Sequence, residues 1–145
     1  MNSGIGLVFP GQGSQSVGMG KTLCEAHPDL KQVYEQASSV LGYDVAALCF
    51  EGPAEQLNRT EYTQPALLVS SIAALRMLEP TGIKPIAVAG HSLGEYSALV
   101  AAGGITFRDA VGIVQKRGRY MSEAVAPGTG LVAALLGLTA DVVRP

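Results

Sequence analysis

The chain has 145 residues, of which 48% are hydrophobic and 15% are charged. This composition is typical of one globular domain and excludes a disordered tail. The formal net charge of −2 excludes a general attraction for nucleic acid or for an anionic membrane. An anionic substrate would therefore have to meet a local cation, and neither nucleic acid nor a membrane is expected as a partner.

The cysteines and the apolar segments bear on metal binding and location. Cys24 and Cys49 are far apart and lack the spacing of a metal site, so both are expected to be buried thiols, without metal or cofactor. The N-terminus shows no secretory signal pattern. Residues 64–78 are the longest apolar segment, but polar residues interrupt it and it is too short to cross a bilayer. A cytoplasmic location is the default expectation.

The first half of the chain predicts one strand and two helices. Residues 5–9 form a short apolar run that stops at a proline and a glycine, which is typical of a buried strand ending in a turn. Apolar residues recur at helical spacing from Pro28 to Leu41, and Gly42 would close this helix. Residues 63–78 are apolar on nearly all sides, which predicts a central helix packed on more than one face.

The second half of the chain also predicts strands that alternate with helices. We expect a buried strand at 86–90, a helix over 93–102, and a helix that begins at Thr106, three residues before Asp109, and runs to about residue 124. An apolar run at 130–138 predicts a third strand, and Thr139 is expected to open another helix. Strands that alternate with helices favour an α/β fold with a largely parallel sheet.

The segment Gly90–Gly94 (GHSLG) fits the G-x-S-x-G pattern of a nucleophile elbow. A predicted strand precedes it and a predicted helix follows it, which is the context that this chemistry requires. The flanking glycines leave room for a sharp turn that projects the Ser92 hydroxyl from the sheet, and the following helix directs free N–H groups at an oxyanion. We interpret Ser92 as a nucleophile, the alternative being a tight turn with an incidental serine.

Neither histidine is a convincing general base for Ser92. Adjacent residues at a strand end point to opposite sides, so His91 is expected to be packed beneath the turn, away from the Ser92 hydroxyl. His27 is expected to face solvent. A serine without a general base is a poor nucleophile. The sequence therefore predicts a nucleophile whose base is missing from these 145 residues.

A glycine-rich turn follows the first predicted strand. Ligands of parallel α/β sheets collect at the carboxyl ends of strands, where Ser92 is also expected. The glycines on both sides of Gln12 let its main chain approach a ligand, so its N–H is a candidate oxyanion donor beside that of Leu93. Phosphate binding is a weaker interpretation, because the spacing is not that of the dinucleotide fingerprint. A turn that binds nothing is the remaining alternative.

Arg117 falls on the apolar face of the helix that begins at Thr106. The apolar positions of this face are Ala110, Ile113, Val114, Met121 and Ala124. A guanidinium turned inward needs an anion or hydrogen-bond acceptors. A structural carboxylate such as Glu95 and a substrate carboxylate are both candidates, and the pattern alone favours the structural one. Arg119 is expected to be a solvated surface charge.

Four ordered motifs together carry a family resemblance. They are Phe9–Gln15 (FPGQGSQ), Thr63–Ala66 (TQPA), Gly90–Ala98 (GHSLGEYSA) and Arg117–Met121 (RGRYM). The chain closely resembles the malonyl-CoA:acyl-carrier-protein transacylases of bacterial fatty-acid synthesis and the related acyltransferase domains of polyketide synthases.

The resemblance implies a role for each matching residue. Ser92 would carry the malonyl group as an ester, and the main-chain amides of Gln12 and Leu93 would form the oxyanion hole. Arg117 would pair with the free carboxylate of malonate, which reverses the preference drawn from the pattern. His91 would not be the base. The implied partners are malonyl-CoA, coenzyme A and acyl carrier protein, with no cofactor, and the full-length protein is expected to be a monomer.

The resemblance also implies a division of the chain. Residues 1–127 would be part of a hydrolase-like subdomain with a parallel sheet, and residues 128–145 would begin a small ferredoxin-like subdomain. The catalytic histidine of the family lies in a region downstream of this sequence, so the fragment is expected to be inactive alone. The alternatives are a serine esterase or lipase of hydrolase or patatin type, or a non-catalytic fragment. Malonyl and methylmalonyl groups both remain open as the acyl group.

Overall fold

The computed structural model describes residues 4–124 and 137–143. The α-helices and strands follow in chain order as β1 (Gly6–Phe9), α1 (Lys21–Ala26), α2 (Lys31–Leu41), α3 (Val45–Glu51), α4 (Ala54–Leu57), α5 (Thr60–Leu78), β2 (Ala87–Gly90), α6 (Gly94–Ala101), α7 (Phe107–Glu123) and α8 (Ala140–Val143). Short 3-10 helices span Pro28–Leu30 and Glu79–Thr81. The mixed α/β fold with a small parallel sheet confirms the predicted fold class.

The two strands form a parallel pair in the described part of the chain. Gly6 pairs with Ala87 and Phe9 pairs with Gly90, so both strands end at the same edge of the sheet. The five helices α1 to α5 make the crossover between them. The glycine-rich turn and the elbow leave the sheet at this shared edge, as the sequence predicts for the ligand side of a parallel sheet.

Helix α5 lies at the centre of the core. Its buried residues include Ala66, Leu68 and Ile72, and it packs against α2, α6 and α7. This confirms the central helix predicted over 63–78, which the structure extends to begin at Thr60. Because neighbours cover α5 on several sides, its sequence lacks a polar face.

Two helix boundaries follow the capping signals of the sequence. Helix α2 ends at Gly42, whose φ of 79° lies in the left-handed region that favours glycine. Helix α7 begins after Thr106, whose hydroxyl accepts a hydrogen bond from the Asp109 N–H at 3.1 Å and donates one to the Asp109 carboxylate at 2.6 Å. Both predicted boundaries are therefore confirmed.

The prediction that both strands are buried is wrong for this chain. The side chain of Val8 is 81% exposed, and Ile86, just before β2, is 77% exposed. Helix α6 packs against both strands, but the sheet face that carries Val8 is uncovered within the described residues. The apolar runs therefore mark surface that this part of the chain leaves in contact with solvent.

The C-terminal predictions are only partly covered by the described residues. The strand predicted at 130–138 falls largely outside them, and the division at residue 127 stays a prediction. Helix α8 begins directly after Thr139, as predicted.

Within the described ranges, every helix is too short or too polar to span a bilayer.

Candidate active site

The turn between β2 and α6 has the geometry of a nucleophile elbow. Ser92 has a φ of 53°, in the left-handed region that a residue with a side chain rarely adopts. A β-carbon at Gly90 would overlap the main chain of Gly94, and one at Gly94 would overlap the carbonyl of Phe9. Both glycines are therefore required for the turn, and the strained serine between them is the kind of outlier found at functional sites.

Arg117 reaches the Ser92 hydroxyl from α7. Its Nη2 donates a hydrogen bond to Ser92 Oγ at 3.0 Å, and its Nη1 donates one to Gln64 Oε1 at 2.6 Å. The guanidinium carbon also lies 5.7 Å from the centre of the Tyr96 ring, within range of a cation–π interaction. The structure thus brings together two residues that the sequence selected separately.

The expectation of a structural carboxylate partner for Arg117 is wrong. Within the described residues both of its hydrogen-bond partners are neutral, and it takes part in no ion pair there. Glu95 is exposed and does not contact the guanidinium in an ion pair. Because the positive charge of Arg117 is not neutralised by these residues, an anionic ligand group is free to meet it.

Gln64 also belongs to the site, although no role was predicted for it from the TQPA motif that contains it. It is completely buried on α5, where its Oε1 accepts from Arg117 and its Nε2 lies 3.1 Å from Met121 Sδ. A buried amide needs hydrogen-bond partners, and Gln64 finds one in the guanidinium of Arg117. This contact holds the guanidinium in place. The available signal was its position as a large polar residue within the TQPA motif of a mostly apolar helix.

Gly118 explains how α7 comes close enough to place Arg117. A β-carbon at this position would lie 2.9 Å from the Thr60 carbonyl oxygen and 2.9 Å from the Glu61 Cα. These are main-chain atoms at the start of α5, which cannot move aside as a flexible side chain does. The missing side chain therefore allows the close helix contact next to Arg117.

The two candidate oxyanion donors lie on segments that touch at the elbow. A β-carbon at Gly11 would be 2.6 Å from both the Nδ1 and the carbonyl oxygen of His91, so the turn after β1 packs directly on the elbow. Within residues 4–124, the main-chain N–H groups of Gln12 and Leu93 donate no hydrogen bond to other protein groups. Gln12 is exposed, so its unpaired amide is open to a ligand, whereas Leu93 is completely buried at the start of α6.

The structure confirms the predicted position of one histidine and corrects that of the other. His91 is exposed, which corrects the expectation that it is packed beneath the turn, and its Nδ1 lies close to Gly11. His27 is exposed, as predicted. Among the described residues, Arg117 is the hydrogen-bond partner of Ser92 Oγ, and no imidazole or carboxylate reaches that oxygen.

An open depression of about 630 Å³ borders Arg117 on the outer side of α7. It is lined by Ile113, Lys116, Arg117, Tyr120, Met121 and Ala124. Ile113, Met121 and Ala124 were predicted to lie on the buried face, and they are exposed instead. The buried face of α7 is rotated towards Val111 and Gly118, because α7 packs closely on α5 there.

Three further predictions concern surface charge, thiols and metals. Arg119 is exposed and pairs with Glu123 at 3.1 Å, as expected for a surface charge. Cys24 and Cys49 are buried free thiols, as predicted, and burial raises the pKa of Cys49 to about 12. Within residues 4–124 and 137–143, acidic, histidine and cysteine side chains do not gather into a group that could hold a metal ion.

The sequence matches one family model over nearly its whole length. Residues 7–143 match the model described as an acyl transferase domain. The chain belongs to the acyl transferase domain family. This membership agrees with the resemblance carried by the four motifs, and it places the elbow serine and Arg117 inside the matched region.

Curated relatives in this family carry one consistent description. The chain is 51% identical over 142 residues to the malonyl CoA-acyl carrier protein transacylase of Bacillus subtilis strain 168, covering 98% of this chain and 45% of the relative. It is 54% identical to the transacylase of Escherichia coli K12, covering 91% of this chain and 43% of the relative. The chain thus spans less than half the length of these relatives.

Solved structures of the family have the same fold. A malonyl-transacylase in complex with a type II polyketide synthase acyl-carrier protein matches with a TM-score of 0.85 and 52% identity, over 88% of this chain and 41% of that one. An acyl carrier protein S-malonyltransferase from Vibrio cholerae matches with a TM-score of 0.84 and 52% identity, over 88% and 42%. These similarities support the transacylase interpretation over an esterase or lipase.

Proposed function

We propose that the intact protein transfers a malonyl group from malonyl-CoA to the phosphopantetheine thiol of acyl carrier protein, in fatty-acid biosynthesis. The observation that carries this proposal is the hydrogen bond of 3.0 Å between Arg117 Nη2 and Ser92 Oγ. A cation beside a nucleophilic hydroxyl is suited to an acyl group that itself ends in a carboxylate. The names of the relatives support the same substrate and acceptor.

In the first step, Ser92 Oγ attacks the thioester carbonyl of malonyl-CoA and forms a C–O bond. The hydroxyl proton passes to a general base, and the charge on the carbonyl oxygen is stabilised by the main-chain N–H groups of Gln12 and Leu93. The C–S bond then breaks and coenzyme A leaves as a thiol after receiving the proton. In the second step the acyl carrier protein thiol gives its proton to the base and its sulfur forms a C–S bond to the malonyl carbonyl carbon, the ester C–O bond breaks, and Ser92 Oγ takes the proton back.

Arg117 would select the acyl group. Gln64 holds one arm of the guanidinium, while the arm that contacts Ser92 Oγ can pair with the malonyl carboxylate. An acetyl group would leave this charge without a partner, which disfavours its transfer. The proposed role of Arg117 is therefore specificity for a dicarboxylic acyl group.

We place the general base outside residues 1–145. Support comes from the described residues, none of which offers an imidazole or a carboxylate to Ser92 Oγ, and from relatives more than twice as long as this chain. The intact protein is proposed to be a cytoplasmic monomer that needs neither nucleic acid nor a membrane. The buried free thiols Cys24 and Cys49 fit a reducing compartment.

Transfer of radiolabel from malonyl-CoA tests this function in the intact protein. The wild-type protein should move label to holo acyl carrier protein but not to the carrier without its phosphopantetheine thiol. Ser92→Ala should show no transfer because the ester cannot form. Rapid release of free malonate without thiol acceptor would instead indicate a hydrolase and would reject the transferase proposal.

A further inference from the structure

The turn between β1 and α1 is tied to the corner between α4 and α5 by two glutamine side chains. Gln12 Nε2 donates a hydrogen bond to Thr60 Oγ1 at 3.1 Å. Gln15 Nε2 donates one to Asn58 Oδ1 at 2.9 Å. The proposed mechanism uses only the main chain of Gln12, so these side-chain contacts need a separate explanation.

Gln15 uses both ends of its amide. While its Nε2 donates to Asn58, its Oε1 accepts a hydrogen bond from the Gly13 N–H at 2.8 Å. Gly13 has a φ of 108°, which a residue with a side chain rarely adopts. Gln15 therefore fixes the peptide plane that follows Gln12 and anchors it to a different part of the chain.

These contacts leave the Gln12 N–H little freedom. On one side of Gln12, the backbone of Gly11 packs on His91, and on the other side Gln15 holds the Gly13 N–H. The Gln12 side chain is held by Thr60. Because the neighbours of the Gln12 α-carbon are fixed, the direction of its N–H is fixed as well, and this amide donates no hydrogen bond within residues 4–124.

We propose that Gln15 is a positioning residue that orients the Gln12 N–H towards the transition-state oxyanion, through Gly13 and with Asn58 as its anchor. This inference rests on the proposed function and extends it to residues that do not touch the substrate. Preorganised donors stabilise an oxyanion without reorganisation during the reaction, so a loosened donor reduces the rate of the chemical step.

Single-turnover acylation of Ser92 by malonyl-CoA in the intact protein tests the role of Gln15. Gln15→Ala should slow the maximal acylation rate about tenfold, because small misplacements of a catalytic group cost one to two orders of magnitude. The half-saturating malonyl-CoA concentration should stay unchanged. Gln15→Glu keeps an acceptor for the Gly13 N–H and should recover part of the rate. Gln32→Ala, an exposed glutamine on α2, is the matched control and should behave as wild type.

A double-mutant cycle tests the anchor. Asn58→Ala should slow acylation less than Gln15→Ala, and the double variant should be no slower than Gln15→Ala alone, because both belong to one chain of hydrogen bonds. Additive effects would overturn the inference, as would a wild-type acylation rate in Gln15→Ala or a loss confined to the half-saturating concentration. Should Gln15→Ala fail to fold, Asn58→Ala with the wild-type acylation rate would overturn the inference, because the anchor that it requires would have no effect.

The two proposals fail in distinguishable ways. A normal rate in Gln15→Ala together with an inactive Ser92→Ala rejects only the positioning role. Acylation that persists in Ser92→Ala rejects the proposed function itself.

Discussion

At the scale of single residues, the site depends on a charge that the described protein residues do not neutralise. Arg117 contacts Ser92 and Gln64, which are both neutral, and no carboxylate pairs with it in residues 4–124 and 137–143. A partly buried cation without an ion partner is costly unless a ligand supplies the anion. The proposed preference for a malonyl group should therefore lie mainly in this residue.

Arg117→Ala should reduce malonyl transfer about a hundredfold, since removing one member of a buried charge pair costs a few kcal/mol. Acetyl transfer, which uses no carboxylate, should fall far less. The measurement is the ratio of kcat/KM for malonyl-CoA and acetyl-CoA in the intact protein.

Arg119→Ala is the control, because this neighbouring arginine is exposed and pairs with Glu123. It should keep the wild-type ratio. Equal losses for both acyl groups in Arg117→Ala would mean that the arginine supports the serine and not the acyl carboxylate.

The buried thiol of Cys49 makes stability depend on alkaline pH. Burial raises the pKa of this thiol from its ordinary 9.0 to about 12, so it stays neutral in the folded protein while the unfolded chain ionises near pH 9. The contribution of the buried thiol to the free energy of unfolding is fully present below about pH 9 and is lost as the pH rises towards the folded-state pKa. The free energy of unfolding should fall by up to about 1.4 kcal/mol per pH unit for this group.

Urea unfolding of the intact protein across about pH 8 to 10 measures this slope. Cys49→Ala should show a smaller slope, although Cys24, whose pKa burial also raises, still contributes. A variant slope equal to that of the wild type would show that Cys49 is not responsible.

Elements of secondary structure bring the separate residues together. The turn after β1 packs on the elbow and α7 packs on the start of α5, and both contacts depend on glycines that allow main chains to touch. Gly118 is the position on α7 where a side chain would force α7 away from Thr60 and Glu61.

Gly118→Ala should destabilise the protein by about 1–3 kcal/mol, because an added methyl group overpacks a close helix contact. It should also slow malonylation, because α7 carries Arg117. Thermal unfolding and the acylation rate measure the two effects.

Gly112→Ala is a matched control on the same helix. A β-carbon there would meet only the Val40 side chain, at 4.0 Å. This variant should gain about 0.5–1 kcal/mol, since alanine is favoured over glycine inside a helix. If Gly112→Ala and Gly118→Ala destabilised the protein equally, the loss would come from any added side chain on α7. The specific role of Gly118 would then be rejected.

The sequence predicted most of the elements and the elbow because their signals are local. Strand, turn and helix around Ser92 follow from neighbouring residues, and so does the start of α7 at Thr106. Partners across the fold are not local: Gln64 lies 53 positions from Arg117, and nothing in the spacing links them. The sequence pattern also placed the buried face of α7 wrongly, because it gives no weight to Gly118, where α7 packs closely on the start of α5.

At the scale of the whole molecule, one face of the sheet is left uncovered by the described residues. Val8 and Ile86 are large apolar side chains left mostly in solvent. The apolar side chains that predicted buried strands are therefore not covered by the described residues. Exposed apolar surface of this kind marks an interaction site or a risk of aggregation.

A polypeptide of residues 1–145 alone should show little or no transacylation, because no imidazole or carboxylate of the described residues reaches Ser92 Oγ. It should also associate through its apolar sheet face. Sedimentation velocity and binding of a hydrophobic dye measure the association. Replacing Val8 with Thr keeps a β-branched side chain and should reduce the self-association. Full transacylation by this polypeptide would contradict the proposed position of the base.

The position of the acyl group on the intact protein is the most direct test of the transferase mechanism. The protein is mixed briefly with malonyl-CoA, quenched in acid, digested and analysed by mass spectrometry, and a parallel sample is first chased with holo acyl carrier protein. One malonyl group should appear on Ser92 and should disappear in the chased sample as the carrier becomes malonylated. A malonyl group on a different residue, or a Ser92 adduct that the carrier cannot remove, would contradict the mechanism.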